Sequence, residues 1–335
     1  MKKLMRLEII ALAVLLVAAV ICAIVLSAVE QPAVPAMAEN QPTAPAAKPT
    51  VPQTAPTLPP ETTQPGPGWM TFPADRKLTA AQYFVYDVDQ DTFLTISGEQ
   101  EERIYPASVT KLFTAYVAMQ YLEPQTEITA GDALDRVVWG SSVADIQKGD
   151  VLTADTMVQA MLLPSGNDAA YLLAYEAGRK ISGSDGVERA VSAFVKEMNK
   201  QAADLGMTGT HFVNPDGIHD EDHFTSFADL AILGKMALKD ETVLKNAGTA
   251  REKIALKSGE KEWHNTNALV DPESPYYCEK AVGLKTGQTP SAGSCLLSAF
   301  QMDGRNLLIG VFGCPEEEDR FADTLQLFNE AMGIK

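Results

Sequence analysis

The stretch Pro106-Ala107-Ser108-Val109-Thr110-Lys111-Leu112-Phe113-Thr114-Ala115 decides how the rest of the chain is read. From Ser108 onward the apolar positions Val109, Leu112, Phe113, Tyr116, Val117 and Met119 recur near the 3.6-residue helical period. Pro106 marks a boundary at which a helix can begin, so the spacing predicts an amphipathic helix from about Ser108. Residues three apart share a helix face, which lets Ser108 and Lys111 touch. Ser108 also falls where backbone N–H groups lack intrahelical partners and the helix dipole is positive. A hydroxyl beside an amine, above free N–H donors, has the parts of an activated nucleophile. Taken by itself, the tetrapeptide reads more readily as an N-capping serine followed by a surface lysine.

Downstream of this helix the pattern stays mainly helical. Thr153 to Leu163 is helical and stopped by Pro164, and a further helix runs from about Asp168 to Glu176 beyond Ser165-Gly166-Asn167. Asp185 with Glu188 reads as a capping box. It opens a long helix with the apolar face Val187, Val191, Phe194, Met198 and Leu205, closed by Gly206. A loop at Asn214-Pro215-Asp216-Gly217 precedes a helix from about Phe227 to Leu238.

Strand patterns lie at the two ends of this block. Gln82 to Val88 and Thr92 to Ser97 flank Asp89-Gln90-Asp91 as a hairpin. Asp87, Asp89 and Asp91 resemble the start of a calcium loop, but its sixth-position glycine and twelfth-position glutamate are missing, so the segment reads as a turn. On the far side, Glu252 to Leu256 and Lys261 to Asn265 flank Ser258-Gly259, Ala281 to Thr286 is a strand, and Ser294 to Phe300 and Asn306 to Phe312 flank Asp303-Gly304. A last helix begins near Pro315 with the apolar face Phe321, Leu325, Phe328 and Met332. Strands at both ends with helices between them predict an α/β (α+β) fold. One antiparallel sheet of about five strands is closed by the two chain ends and flanked by helices, with an all-helical lobe inserted.

The N-terminus has a different character. Lys2, Lys3 and Arg6 precede an uncharged apolar run from Ile9 to Val29, long enough to span a bilayer. The basic residues would stay cytoplasmic and the remainder would be exported. Ala36-Met37-Ala38 offers a cleavage site, but a retained anchor within residues 1–30 is the favoured reading, since nothing later in the sequence resembles one. Residues 31–68, rich in Pro, Thr and Ala, cannot build a core and read as a tether, leaving residues 69–335 as the folded domain. At roughly 3.1 Å per residue the tether would reach on the order of 100 Å. The formal net charge of -17 argues against a nucleic-acid partner. The four cysteines, Cys22, Cys278, Cys295 and Cys314, show neither metal-ligand nor disulfide-framework spacing, though Cys295 and Cys314 could pair if their strands are neighbours. No metal or other cofactor is expected.

Three short signals stand in order: Ser108-Val109-Thr110-Lys111, Ser165-Gly166-Asn167 and Lys285-Thr286-Gly287. Each is weak alone, but together they match the three-motif set of penicillin-binding proteins and class A β-lactamases, at a helix start, an inter-helix loop and a strand end. The chain resembles the low-molecular-mass penicillin-binding proteins, the serine-type D-alanyl-D-alanine carboxypeptidases of peptidase type S11. The resemblance runs from about Lys77 to Gly333. It includes Gly140-Ser141-Ser142, Asn214-Pro215-Asp216-Gly217, Asn265-Thr266-Asn267, and Thr289 with Ala292-Gly293. It implies a β-lactamase/transpeptidase-like fold and removal of the terminal D-alanine from peptidoglycan stem peptides, with β-lactams as covalent inhibitors.

The resemblance also implies roles. Ser108 attacks the carbonyl of the D-Ala-D-Ala bond. Lys111, buried and crowded by Lys285, is neutral enough to act as base. Ser165 relays a proton to the leaving amine, and Asn167 holds Lys111 and the substrate backbone. Lys285, Thr286 and Thr289, in the strand segment that includes Gly287, bind the terminal carboxylate, while the N–H groups of Ser108 and Gln288 form the oxyanion hole. Some members of the family hold the carboxylate with an arginine near the last strand, a place for which Arg305 is the candidate.

Rival readings are weighed on single positions. A class A β-lactamase would carry Asp where Gly166 stands, and a deacylating glutamate in a loop that here reads His211 to Gly217 without one. A zinc peptidase would use His219 and His223, but Asp220 stands where the zincin glutamate belongs and the segment reads as a loop. A tethered β-lactam- or wall-binding domain would keep the pocket and lose turnover.

Overall fold

The computed structural model describes residues 72–73, 76–302 and 304–334. The expected membrane segment at 1–30 and the tether at 31–68 lie outside the described residues. Among the described residues no helix is long and apolar enough to cross a membrane.

The central sheet has five antiparallel strands in the order β2-β1-β9-β8-β7. These are β1 (Gln82–Asp87), β2 (Thr92–Ile96), β7 (Ala281–Thr289), β8 (Gly293–Met302) and β9 (Arg305–Cys314). Among the described residues the first strand lies beside the last, so the two ends of the domain close one sheet, as the strand–helix–strand order predicts. Strand side chains alternate between faces, and both faces are covered. Phe84, Tyr86, Leu297, Ala299 and Leu308 enter one core with the helices of the lobe. Val85, Leu296, Phe300, Leu307 and Ile309 enter a second core beneath the C-terminal helix α7 (Asp319–Met332). There Phe300 stacks on Phe328 with ring centroids 4.3 Å apart.

Between β2 and β7 lie α1 (Thr110–Met119), α2 (Ala154–Leu162), α3 (Asn167–Ser182), α4 (Val187–Asp204), α5 (Phe227–Lys239) and α6 (Glu241–Ala247). Two further hairpins stand apart from the sheet, β3 (Glu127–Thr129) with β4 (Val151–Thr153) and β5 (Arg251–Leu256) with β6 (Gly259–His264). The first hairpin and α6 are too short to show a period in the sequence. The second was legible as strands. Its role was not: Trp263 Nε1 donates to Ala144 O at 2.9 Å, and Asp150 accepts from Ser258 N–H at 2.8 Å. The hairpin thus braces the loop at 144–150 against the C-terminal half of the chain.

Several expectations are corrected. Asp185 caps nothing: the N-cap of α4 is Gly186, and the Asp185 carboxylate accepts from Arg179 Nε at 2.8 Å. Leu205 is exposed, and Ala190 and Ala202 complete the buried face of α4 instead. Cys295 and Cys314 lie on neighbouring strands, as the pairing required, but both are free thiols, buried in separate cores.

Candidate active site

Residues 107–109 form a single 3-10 turn, so the regular helix starts at Thr110, two residues later than expected. The turn begins with Ala107 at φ +47, a conformation that costs an L-residue energy and persists only where the surroundings impose it. Those surroundings are two glycines. Gly217, at φ +82, packs so closely that a Cβ there would overlap the Ala107 carbonyl oxygen. A Cβ on Gly287 would lie 2.9 Å from Pro106 O and 3.1 Å from Ser108 N. The loop at 214–217 and the end of β7 therefore meet the Ser108 turn backbone to backbone.

Lys111, three residues after Ser108, is fully buried. Its Nζ lies 2.7 Å from Ser108 Oγ and donates to the carbonyl oxygen of Asp216 at 2.6 Å. Burial pushes its pKa down, the carboxylates of Asp216 and Asp168 push it back up, and the balance falls at about 8. Asp216 is placed by its own turn, in which Asn214 Oδ1 accepts from Gly217 N–H at 2.7 Å. Thr114 Oγ1, on α1, also donates to Pro215 O at 2.6 Å.

The second motif lies at the start of α3. Ser165 is buried at φ +64, and Asn167 is buried with Oδ1 unpartnered among the described residues. Gly166 has no room for a side chain: a Cβ would lie 2.6 Å from both Ala160 O and Asp168 Oδ1. Asp168 is occupied with the backbone, accepting from Ala144 N–H at 2.9 Å and Ile146 N–H at 3.0 Å. Ser142 O accepts from Asn167 N–H at 2.9 Å, which joins Gly140-Ser141-Ser142 to this motif.

The third motif lies on β7. Lys285 is fully buried, with Nζ donating to Thr266 Oγ1 and Thr286 O, each at 3.2 Å. Burial holds Lys285 well below the ordinary lysine range, with Lys111 and Arg320 adding repulsion. Burial acts on both amines, and repulsion between them disfavours charging both at once. Thr286 Oγ1 lies 2.6 Å from Thr266 Oγ1. Thr289 Oγ1 accepts from Ala292 N–H at 3.0 Å, so it closes the β7–β8 turn, and Gln288 is exposed at the strand end.

Arg305 is displaced from the site. Lys285 faces Leu297 and Leu297 faces Gly310, so Arg305 lies five residues along β9, about 16 Å away at ~3.3 Å per residue. It serves Asp87 instead, at 2.8 Å. The arginine near the third motif is Arg320 on α7, buried, with a guanidinium N–H donating to Gly287 O at 3.3 Å. Its cue in the sequence was a lone basic residue in a strongly acidic helix start. Thr266 and the Asp216 carbonyl were also missed as site groups. The carbonyl leaves no trace in the side-chain pattern.

His223 is buried beside Thr110, with ring nitrogen and hydroxyl 2.8 Å apart, and burial lowers its pKa to about 3. His219 is exposed and packs edge-on against Tyr105, so the two histidines do not converge. Among the described residues no group of three or more His, Cys, Asp or Glu side chains could hold a metal ion.

A sheet closed by both chain ends, an inserted helical lobe and a buried serine–lysine pair at their junction define a β-lactamase/transpeptidase-like protein. The sequence profile of the peptidase S11 family, D-alanyl-D-alanine carboxypeptidase, matches residues 70–316, and the chain belongs to that family. It is 30% identical over 250 residues to the D-alanyl-D-alanine carboxypeptidase DacF of Bacillus subtilis, with 73% of this chain and 60% of that protein covered. It is 31% identical to a D-alanyl-D-alanine carboxypeptidase of Streptomyces sp. (strain K15), with 77% of this chain and 89% of that protein covered. The crystal structure of the Streptomyces K15 DD-transpeptidase superposes with a TM-score of 0.69 at 26% identity, covering 77% of this chain and 99% of the other. The chain thus spans about three fifths of the Bacillus relative and most of the Streptomyces one.

Proposed function

We propose that the protein is a serine-type D-Ala-D-Ala carboxypeptidase that removes the terminal D-alanine of peptidoglycan stem peptides through an acyl-enzyme on Ser108. The observation that carries the reading is the 2.7 Å approach of Lys111 Nζ to Ser108 Oγ inside a buried site closed by Lys285-Thr286-Gly287. An amine with a pKa of about 8 has a usable neutral fraction at physiological pH, whereas an ordinary lysine near 10.4 has almost none. Neutral Lys111 accepts the Ser108 proton as Oγ attacks the carbonyl carbon. The C–N bond then breaks, the proton reaches the leaving amine through Ser165, and D-alanine departs. Water hydrolyses the remaining ester and restores Ser108.

Binding follows from the same geometry. Among the described residues Lys285 and Arg320 bring two buried basic groups to the end of β7, and Lys285 makes no ion pair. A substrate carboxylate arriving there favours the charged form of Lys285, and Thr286 offers it a hydroxyl. Asn167 Oδ1, buried and unpartnered, is free to accept from the substrate backbone or Lys111. The N–H groups of Ser108 and Gln288 would hold the developing oxyanion. Residues 69–335 form the catalytic domain in this reading. Residues 31–68 tether it and residues 1–30 anchor it, so that it works outside the cytoplasmic membrane.

The test is release of D-alanine from a peptide ending in D-Ala-D-Ala, together with covalent labelling by penicillin located by mass spectrometry. Both are expected in the unmodified protein and neither in Ser108→Ala. Labelling without D-alanine release would favour a binding domain, and rapid turnover of penicillin would favour a β-lactamase. Against the latter, Gly166 leaves no space for the aspartate that class A enzymes carry there.

A further inference from the structure

Two carboxylates lie in the electrostatic reach of Lys111, and they are differently engaged. Asp168 spends both oxygens on backbone N–H groups, Oδ1 on Ala144 and Ala169 and Oδ2 on Ile146. Asp216 is 1% exposed. Its Oδ1 accepts one long bond from Ile218 N–H at 3.3 Å, and its Oδ2 has no hydrogen-bond partner among the described residues. It forms no ion pair there either. Yet its own carbonyl oxygen holds the Lys111 amine at 2.6 Å and lies 3.5 Å from Ser108 Oγ. A buried carboxylate this poorly satisfied is costly unless an opposite charge comes near it.

We propose that the Asp216 carboxylate is a positioning residue for acylation, acting through Lys111: it stabilises the protonated amine and so sets the pH at which Ser108 is activated. This rests on the reading of Lys111 as the base. When Lys111 takes the Ser108 proton it becomes an ammonium ion in a dry site, held by the Asp216 carbonyl, and the carboxyl group of that same residue is not committed to strong hydrogen bonds. The partnership makes Lys111 a stronger base at the cost of a higher pH for its neutral form. It also favours the charged form of Asp216, whose carboxyl is raised by burial and drawn back down by Lys111. The other charged or titratable groups facing the pair cannot replace it. Asp168 on α3 is bound to the backbone. Lys285 on β7, with Arg320 of α7 beyond it, is repulsive. Tyr171 on α3 is pushed up to about 12 and stays neutral, and His223 is held neutral by burial.

The experiment follows the rate of penicillin acylation from pH 5 to 10 in the unmodified protein, Asp216→Asn, Asp216→Ser and Asp216→Glu. Removing an opposite charge at this range is expected to lower the acylation transition by about one unit or more. Starting from about 8, a one-unit drop raises the neutral fraction at pH 7 about five-fold, from about a tenth to about a half. The high-pH plateau falls, because a weaker base accepts the proton less readily. Asp216→Glu keeps the charge and is expected to return the transition towards its original position. A transition unmoved or raised in Asp216→Asn would overturn the proposal. So would failure of both neutral variants to label at any pH, which would make the carboxylate a structural requirement only. Absence of labelling in the unmodified protein would instead refute Ser108 as the nucleophile.

Discussion

Replacing Gly217 by alanine tests whether the nucleophile turn is held by backbone contact. Gly217 sits at φ +82, and its Cα faces the Ala107 carbonyl and Ser108 N, the latter 3.0 Å from where a Cβ would be. Two terms add. The left-handed conformation costs alanine about 1 kcal/mol relative to glycine. Relieving the overlap with Ala107 costs a further ~1–3 kcal/mol, as overpacking does in a tight interior. Gly206 provides the control: its φ is +84, nearly the same, but a Cβ there meets nothing within 4 Å. Gly206→Ala is therefore expected to cost only the conformational term. Urea unfolding of both variants would show Gly217→Ala less stable than Gly206→Ala by about 1–3 kcal/mol. The clash also moves the Asp216 carbonyl away from Lys111 and Ser108, so penicillin acylation should slow on the order of 100-fold, the cost of a roughly 1 Å misplacement. Equal stability of the two variants, with acylation unaltered in Gly217→Ala, would refute the contact as the support of the site.

Lys111→Ala is expected to lose acylation almost as completely as Ser108→Ala, and the double variant to lose little more, because the two groups act as one unit. In the unmodified protein the acylation rate should climb with pH through about 8, since only the neutral amine accepts a proton and its fraction grows above that pKa; a transition near 10 would contradict the buried-lysine mechanism. His223 should make the fold acid-labile. Its folded pKa of about 3 lies below the unfolded value near 6.5, so between these values the unfolded chain binds a proton that the folded chain excludes. Stability is then lost as pH falls from about 6.5 towards 3, by up to ~5 kcal/mol, and His223→Gln should flatten that limb in pH-dependent melts.

The local patterns of this chain were strong enough to read directly. The helix carrying Lys111 shows a period, which reports which side chains share a face, and the hairpin at Gln82–Ile96 shows aromatic and β-branched runs either side of turn residues. Errors arose where one local signal had two uses. Asp185 and Glu188 have capping-box spacing, but Arg179 and Arg136 lie close enough in space to take both carboxylates. Arg305 is near the last strand in sequence, a place its register left open, and the pairing of β8 with β9 carries it to the opposite end of the sheet, while α7 brings Arg320 back to β7.

By itself the sequence determined the fold class and the approach of Lys111 to Ser108, because the order of strands and helices and the spacing of one helical turn are properties of the chain. Only the tertiary structure decided how the site is held and charged. The contacts of Gly217 and Gly287 with the Ser108 turn, and of the Asp216 carbonyl with Lys111, are made by backbone atoms that every residue possesses. The depressed pKa of Lys111 comes from burial among elements far apart in the chain, and the local sequence carries no measure of the solvent those elements exclude.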